Sequence, residues 1–523
     1  MNHVAISSPQ AVKAQWRNVA CLGLVQACMG AVVVTTTTTL NRVMVIELNL
    51  PAVLPGFLIG LHYLVQIMRP RMGFGADQAE RFTPWIMGGM VILSLGGVLA
   101  ALATTWMGEH VLLGLVSAVL AFVMIGMGVS ACGTTLLVLL SKGVGEHQRA
   151  TSATLVWTMM IFGFALTSIV SGKFLDPFSF DRLLEVSMFV SVITVVISAL
   201  SLWGLERRML GHELTAHPGP HVDEVLPTKP LQAPFSLAQS APTPPAPTQS
   251  FKQALRVLWS EPQARLFTFF VFTSMLAYSA QDLILEPFAA LIYHYTPGQT
   301  TQLSGLLHAA VLMGMLLLAL IGSDWVKGRW GRVSTWMVLG CLLSCLGMLG
   351  LSAAGVLSGG AALLPLTPVL WVLGLGNGLF SIAAISTMMR LATQPSASLS
   401  SNQAHALDDA HTGSVRPGLR MGLWGGAQAV AFGLGGLLGS GASDLARHWM
   451  GNPSLAYASV FALEATMFLC SAYIAWQVKN LSPPHEEGIS VDSCRQTDSG
   501  PRSGRVGVHA NFSASSNHNF KVI

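Results

Sequence analysis

Polar residues interrupt this chain at wide and regular intervals. Between them lie apolar stretches at about 17–40, 51–69, 85–106, 111–140, 152–172, 184–205, 266–294, 302–322, 333–356, 362–389, 421–443 and 454–477. A helix needs roughly 20 apolar residues to cross a ~30 Å hydrocarbon core, so the pattern predicts twelve membrane-spanning helices. The sixth and seventh are separated by a segment rich in proline, with Pro218, Pro220, Pro227, Pro230, Pro234, Pro242, Pro244, Pro245 and Pro247. Such a composition cannot build a core and reads as a linker. The expected organisation is an arm at 1–15, a six-helix half at 16–206, the linker at 207–262, a second six-helix half at 263–478 and a polar, disordered tail at 479–523.

Composition narrows the class further. Of 523 residues, 52% are hydrophobic and only 10% charged, and the mean hydropathy is +0.57. Those values belong to a polytopic membrane protein. Residues 1–15 are polar and the first apolar stretch exceeds a signal core, so the first helix is expected to be retained. With the N-terminus in the cytoplasm, 24 of the 28 Lys and Arg residues fall on the cytoplasmic side, leaving Arg42, Lys173, Arg182 and Arg447 opposite. The bias places both termini in the cytoplasm. Seven cysteines show neither a CxxC pair nor zinc spacing, so neither disulfides nor a metal centre are expected.

The two halves repeat. Asp77 and Arg81 follow the second apolar stretch, while Asp324, Arg329 and Arg332 follow the eighth, an offset of 247 between the aspartates. His62 and His308, inside those stretches, are 246 apart. A shared offset points to a duplicated six-helix unit, the arrangement of major facilitator proteins. Gly73, Asp77 and Arg81 keep the spacing of the facilitator loop motif, with Glu80 in place of its second glycine. This motif fixes a tight turn and says little about cargo.

Polar residues inside apolar helices are the candidates for function. YSAQDLILEPF carries Gln281, Asp282 and Glu286, the two acids one turn apart on one face. Counted from Arg265, Asp282 lies ~25 Å and Glu286 ~32 Å along the axis, inside the far leaflet and near its interface. Interfacial anchoring of the helix end is the plainer reading of the pair. His62 and His308 can move protons, ligate the magnesium of a chlorin, or rest as hydrogen-bonded core histidines. Gln66 lies one turn from His62 and can bond the ring or a ligand carbonyl. Arg42 and Glu47 fit an ion pair stapling the first turn, and Thr35 to Thr39 can bond their own backbone. Asn377 and Gln428 are polar positions in glycine-rich helices expected at the central cleft. Glu464, at mid-helix, fits a structural role or a partner contact. No phosphate loop, hydrolase elbow, nucleophile with its base or nucleic-acid surface is present, so no catalytic machinery is expected.

Several blocks resemble one family. LNRVMVIEL, GLHYLVQIMRPRMGFGAD, RFTPWIMGG, QDLILEPF, GQTTQLSG, GLGNGLFSIAAISTMM and MGLWGGAQA, spread over about 16–480, look like the PucC/LhaA family of light-harvesting complex assembly factors. The resemblance implies a twelve-helix facilitator-fold protein of the intracytoplasmic membrane of a photosynthetic bacterium. It would be no enzyme, and would deliver bacteriochlorophyll to the α and β antenna polypeptides near antenna or reaction-centre intermediates and the pigment-synthesis and membrane-insertion machinery. His62, Gln66 and His308 then become candidate pigment contacts, and Asp282 and Glu286 line a cleft or docking face. The segment 391–420 is longer than the family pattern leads one to expect. Two other readings stand beside this one: a proton-coupled transporter of a lipophilic molecule using Asp282 and Glu286, and a permanent structural antenna subunit.

Overall fold

A computed structural model describes residues 9–69, 81–144, 146–216, 256, 258–321, 333–357, 364–393 and 417–481. Within them the chain is all helix. Helix α1 starts as Pro9–Val34 and continues through Glu47 by two π turns, Thr35–Thr39 and Val43–Glu47. It is followed by α2 (Val53–Val65), α3 (Thr83–Glu109), α4 (Val111–Gly143), α5 (Glu146–Phe174) and α6 (Phe180–Leu202). A short helix, Leu205–Ala216, extends into the segment expected as linker. The second half comprises α7 (Pro262–Tyr293), α8 (Pro297–Ile321), α9 (Val333–Leu357), α10 (Leu366–Thr393), α11 (Pro417–Met450) and α12 (Pro453–Leu481).

Eleven of these are long and apolar enough to cross a membrane. The exception is α2, whose helix begins only at Val53 and tightens after Val65 into a 3₁₀ turn, Gln66–Met68. The apolar run expected there was longer than the α-helix it forms.

Helix pairing repeats with a step of six. In the first half α3 packs on α4, α1 on α5 and α6, α3 on α6, and α2 on α4. The second half shows α9 on α10, α7 on α11 and α12, α9 on α12, and α8 on α10. Equivalent seams use equivalent glycines. A Cβ on Gly89 would lie 2.6 Å from the Cys132 nitrogen, and one on Gly128 2.6 Å from that of Leu93. In the other half, Gly340 and Gly376 meet the nitrogens of Phe380 and Ser344 at 2.5 Å each. The offsets, 340 − 89 = 251 and 376 − 128 = 248, lie within a few residues of the 247 of the loop motif. Close approach of this kind replaces the hydrophobic drive that lipid cannot supply.

Each half encloses its own core, around Leu22, Met90 and Phe122 in one and Phe267, Phe380 and Phe468 in the other. Large apolar side chains such as Leu95, Leu120, Val192, Leu320 and Leu463 point outward. The halves meet along two seams, α2 with α11 and α5 with α8. This packing places many of the polar residues between helices, some within one half and some between the two.

Candidate functional site: a polar seam between the halves

The hydrogen bonds that tie the halves cluster toward the end of the bundle that carries the α1–α2 and α7–α8 turns. Pro287 explains one of them. Lacking an N–H, it cannot bond the Leu283 carbonyl one turn earlier in α7. Asn41 of α1 fills that vacancy, its Nδ2 donating to the Leu283 carbonyl at 2.7 Å. Nearby, Arg42 pairs with Glu47 and donates to the Tyr295 carbonyl at 3.3 Å. Thr39 and Thr301 share a hydrogen bond of 3.2 Å.

The flanking seams close the same end. Asp176, after α5, accepts from Thr296 Oγ1 at 2.6 Å and from the Gly298 nitrogen at 3.2 Å. Asp444 of α11 accepts from the Val53 nitrogen at 2.8 Å, at the start of α2. Thr35 to Thr38 donate to carbonyls of their own helix, Thr38 also lies against Glu286 of α7, and Thr39 reaches Thr301. Those back-bonds accompany the widening of α1 into a π turn just where it meets the other half.

Glu286 sits behind this seam and is fully enclosed. Ser304 of α8 donates to its Oε1 at 2.6 Å, and Arg42 acts on it electrostatically. A place near the end of the span therefore does not make it an exposed interfacial anchor, because α1 and α8 cover it. Asp282 is the more open of the pair. It faces Tyr63 of α2 and Glu464 of α12 electrostatically. One helical face is shared by both acids, yet the seam gives them different partners.

The histidines differ as well. His62 is enclosed in α2, where Gln66 Nε2 donates to its Nε2 at 2.8 Å. Arg69 donates to Gln66 Oε1 and so fixes the amide's orientation. The His62 proton is thereby assigned to Nδ1, which has no partner. His308 has the opposite arrangement. Its Nδ1 donates to the Ser304 carbonyl at 2.8 Å, leaving Nε2 with a lone pair. Phe164 of α5 meets the ring edge-on at 5.2 Å, so His308 lies at the α5–α8 seam. Ser304 thus serves two candidates at once, its hydroxyl Glu286 and its carbonyl His308.

Asn377 is not at a cleft. It is fully buried between α9 and α10, where Ser344 donates to its Oδ1 at 2.7 Å. The glycines that bring those helices together leave no room for a cleft beside it. Gln428 is half-buried on α11. Glu464 is enclosed and both its oxygens lack hydrogen-bond partners. Of the loop motif, Arg81 is exposed; Gly73, Asp77, Asp324 and Arg332 lie outside the described residues. Among the described residues no group of three or more His, Cys, Asp or Glu could hold a metal ion.

With this geometry in hand, comparison with known proteins is decisive. The PUCC protein family model matches residues 39–227 and 232–482. The chain belongs to the PUCC family. Across 465 residues it is 42% identical to the bacteriochlorophyll synthase 44.5 kDa chain of Rhodobacter capsulatus, covering 88% of this chain and 95% of that one. It is 27% identical to Protein PucC of Cereibacter sphaeroides over 473 residues, 85% and 88% of the two chains. Among solved structures, a proton-dependent oligopeptide transporter matches with a TM-score of 0.57 at 14% identity, over 89% of this chain and 98% of that one. A bacterial homologue of the lysosomal transporter Spinster gives 0.56 at 13%, over 91% and 98%. At such identities the likeness establishes the facilitator fold alone. This PUCC member is thus a polytopic membrane protein of that fold.

Sequence reasoning missed Ser304, Asp176 and Asp444 as seam residues. Only for Asn41 did the sequence hold a signal, since Pro287 advertises a freed carbonyl at Leu283.

Proposed function

We propose that this protein is a non-catalytic assembly factor for bacterial light-harvesting antenna complexes, which binds bacteriochlorophyll and delivers it to the α and β polypeptides during membrane assembly. Membership of the PUCC family and the names of its relatives support the pigment-related part of this reading. The observation that carries the handling step is the fixed tautomer of His308. A neutral imidazole with Nδ1 held by a carbonyl presents its Nε2 lone pair to a metal, the usual arrangement of a ligating histidine. His62 fits that role less well, because Gln66 occupies its Nε2. On this reading His308 contacts the chlorin magnesium, and Glu286 and Arg42 set the closure of the seam beside it. The basic-residue bias supports cytoplasmic termini.

Mild-detergent purification read by absorbance and mass spectrometry tests the proposal. Bacteriochlorophyll and antenna polypeptides should co-purify with the wild type, pigment should fall in His308→Leu, and His62→Leu should retain most of it. Wild-type protein without pigment and without antenna polypeptides refutes the function. Equal pigment in His308→Leu and wild type refutes only the ligand assignment.

A further inference from the structure

Helices α7 and α12 pack antiparallel, and Phe288 sets their register. Its ring lies 5.8 Å from Tyr457 and 5.1 Å from Phe461 between centroids. Residues spaced by three and four share a helical face, so Ala277, Gln281, Ile284 and Phe288 form one side of the contact. Tyr457, Phe461, Glu464 and Phe468 form the other. Two turns from Phe288, the same register brings Gln281 to the level of Glu464 and Phe468.

Both polar side chains are enclosed, at 1% exposure for Gln281 and 2% for Glu464. Neither oxygen of Glu464 has a hydrogen-bond partner; the Gln281 amide N–H lies toward the neighbouring Asp282 carboxylate, which leaves the Gln281 oxygen free to accept. An ionised carboxylate without a donor is untenable in an apolar helix contact. A proton on Glu464 removes the charge and supplies a donor that the Gln281 oxygen can accept. Asp282, the next residue of α7, acts electrostatically on Glu464. It is half-buried and turned toward Tyr63 of the other half.

The other groups around Glu464 are few. On α7 the charged group is Asp282, which also interacts electrostatically with Glu286 and Tyr278. On α9 the register set by the Ser352 bond to the Ala458 carbonyl brings Cys345 and Cys341 nearest. Arg447 and Asp444 of α11 act at Tyr457, seven residues or ~10 Å along α12. Phe380 of α10 faces Phe468.

We propose that Glu464 is a proton-binding site inside the membrane, with Gln281 as its hydrogen-bond partner and Asp282 as its route to the space between the halves. In this exchange the Glu464 O–H breaks, its electron pair stays on the carboxylate, and the proton joins the Asp282 carboxylate before passing to water. With the proton in place the α7–α12 contact is neutral. Without it, two like charges face each other across the contact and favour its loosening. The site does not depend on pigment binding.

Infrared spectroscopy of the full-length protein in lipid nanodiscs, with hydrogen–deuterium exchange, tests this directly. At neutral pH the wild type should show a protonated carboxylic C=O band that Glu464→Gln lacks and that Gln281→Leu moves to higher frequency. Glu464→Gln is nearly isosteric, and monodispersity on gel filtration confirms that it folds. Deuterium uptake by the band should slow several-fold in Asp282→Asn. A wild-type spectrum identical to that of Glu464→Gln overturns the site, and unchanged uptake in Asp282→Asn overturns the route.

Discussion

Replacing Asn41 by leucine removes the donor that caps the Leu283 carbonyl, and the cost can be worked from the geometry. The bond is 2.7 Å long and Asn41 is 1% exposed, so no solvent stands ready to replace it. A buried polar group left unpaired costs about 1–3 kcal/mol. Part of that is offset, because the Asn41 Oδ1 has no partner now and its removal relieves a second orphan. The net destabilisation should be about 1 kcal/mol, close to what side-chain bonds between membrane helices contribute. The orphan arises only because Pro287 has no N–H. In a Pro287→Ala background the backbone can bond its own carbonyl, and Asn41→Leu should then cost little. Equilibrium unfolding of the four proteins in mixed micelles gives the coupling energy, expected at about 1 kcal/mol. If Asn41→Leu costs the same with and without Pro287, the account of this contact is wrong.

Three further outcomes follow from the seam. Ser304→Ala should destabilise the protein by about 1 kcal/mol, since Glu286 loses one hydrogen-bond donor while Thr38 and Thr300 remain beside it, whereas Ser304→Thr keeps the hydroxyl and most of the stability; thermal unfolding in detergent compares them. Gly298→Val should lower the yield of monodisperse protein, because a Cβ there would lie 2.3 Å from the Gly172 carbonyl and 2.4 Å from Asp176, while Gly425→Ala, with nothing within 4 Å, should match wild type. Asp444→Ala should cost about 1 kcal/mol in the same unfolding assay, since the Val53 nitrogen at the start of α2 loses its acceptor. A silent Gly298→Val would show that the α5–α8 seam does not hold the halves together, and a silent Ser304→Ala that Glu286 does not depend on this donor.

The contrast between Asp282 and Glu286 shows how far helix geometry alone reaches. Their spacing of four correctly put them on one face, and counting residues gave their depth along the axis. Neither operation tells which acid a neighbouring helix covers. Glu286 is sealed by Ser304, 18 residues away, and by α1, more than 240 residues away, while Asp282 is left partly open. The histidines teach the same lesson. Their matched positions in α2 and α8 were legible, but opposite tautomers follow from a glutamine one turn later and a backbone carbonyl one turn earlier. Asn377 misled for a related reason, since a polar residue in a glycine-rich helix can satisfy itself inside its own half.

By itself, the sequence determined that this chain lies in a membrane, that it is helical, and that it is built twice over. The reason is physical: without water in the hydrocarbon core every backbone polar group must be satisfied within its own segment, so long apolar runs have one outcome. Tertiary structure alone decided which polar side chains meet across the halves. Those pairings join helices far apart in the chain, at distances set by where glycines allow backbones to touch, and no local pattern of residues encodes them.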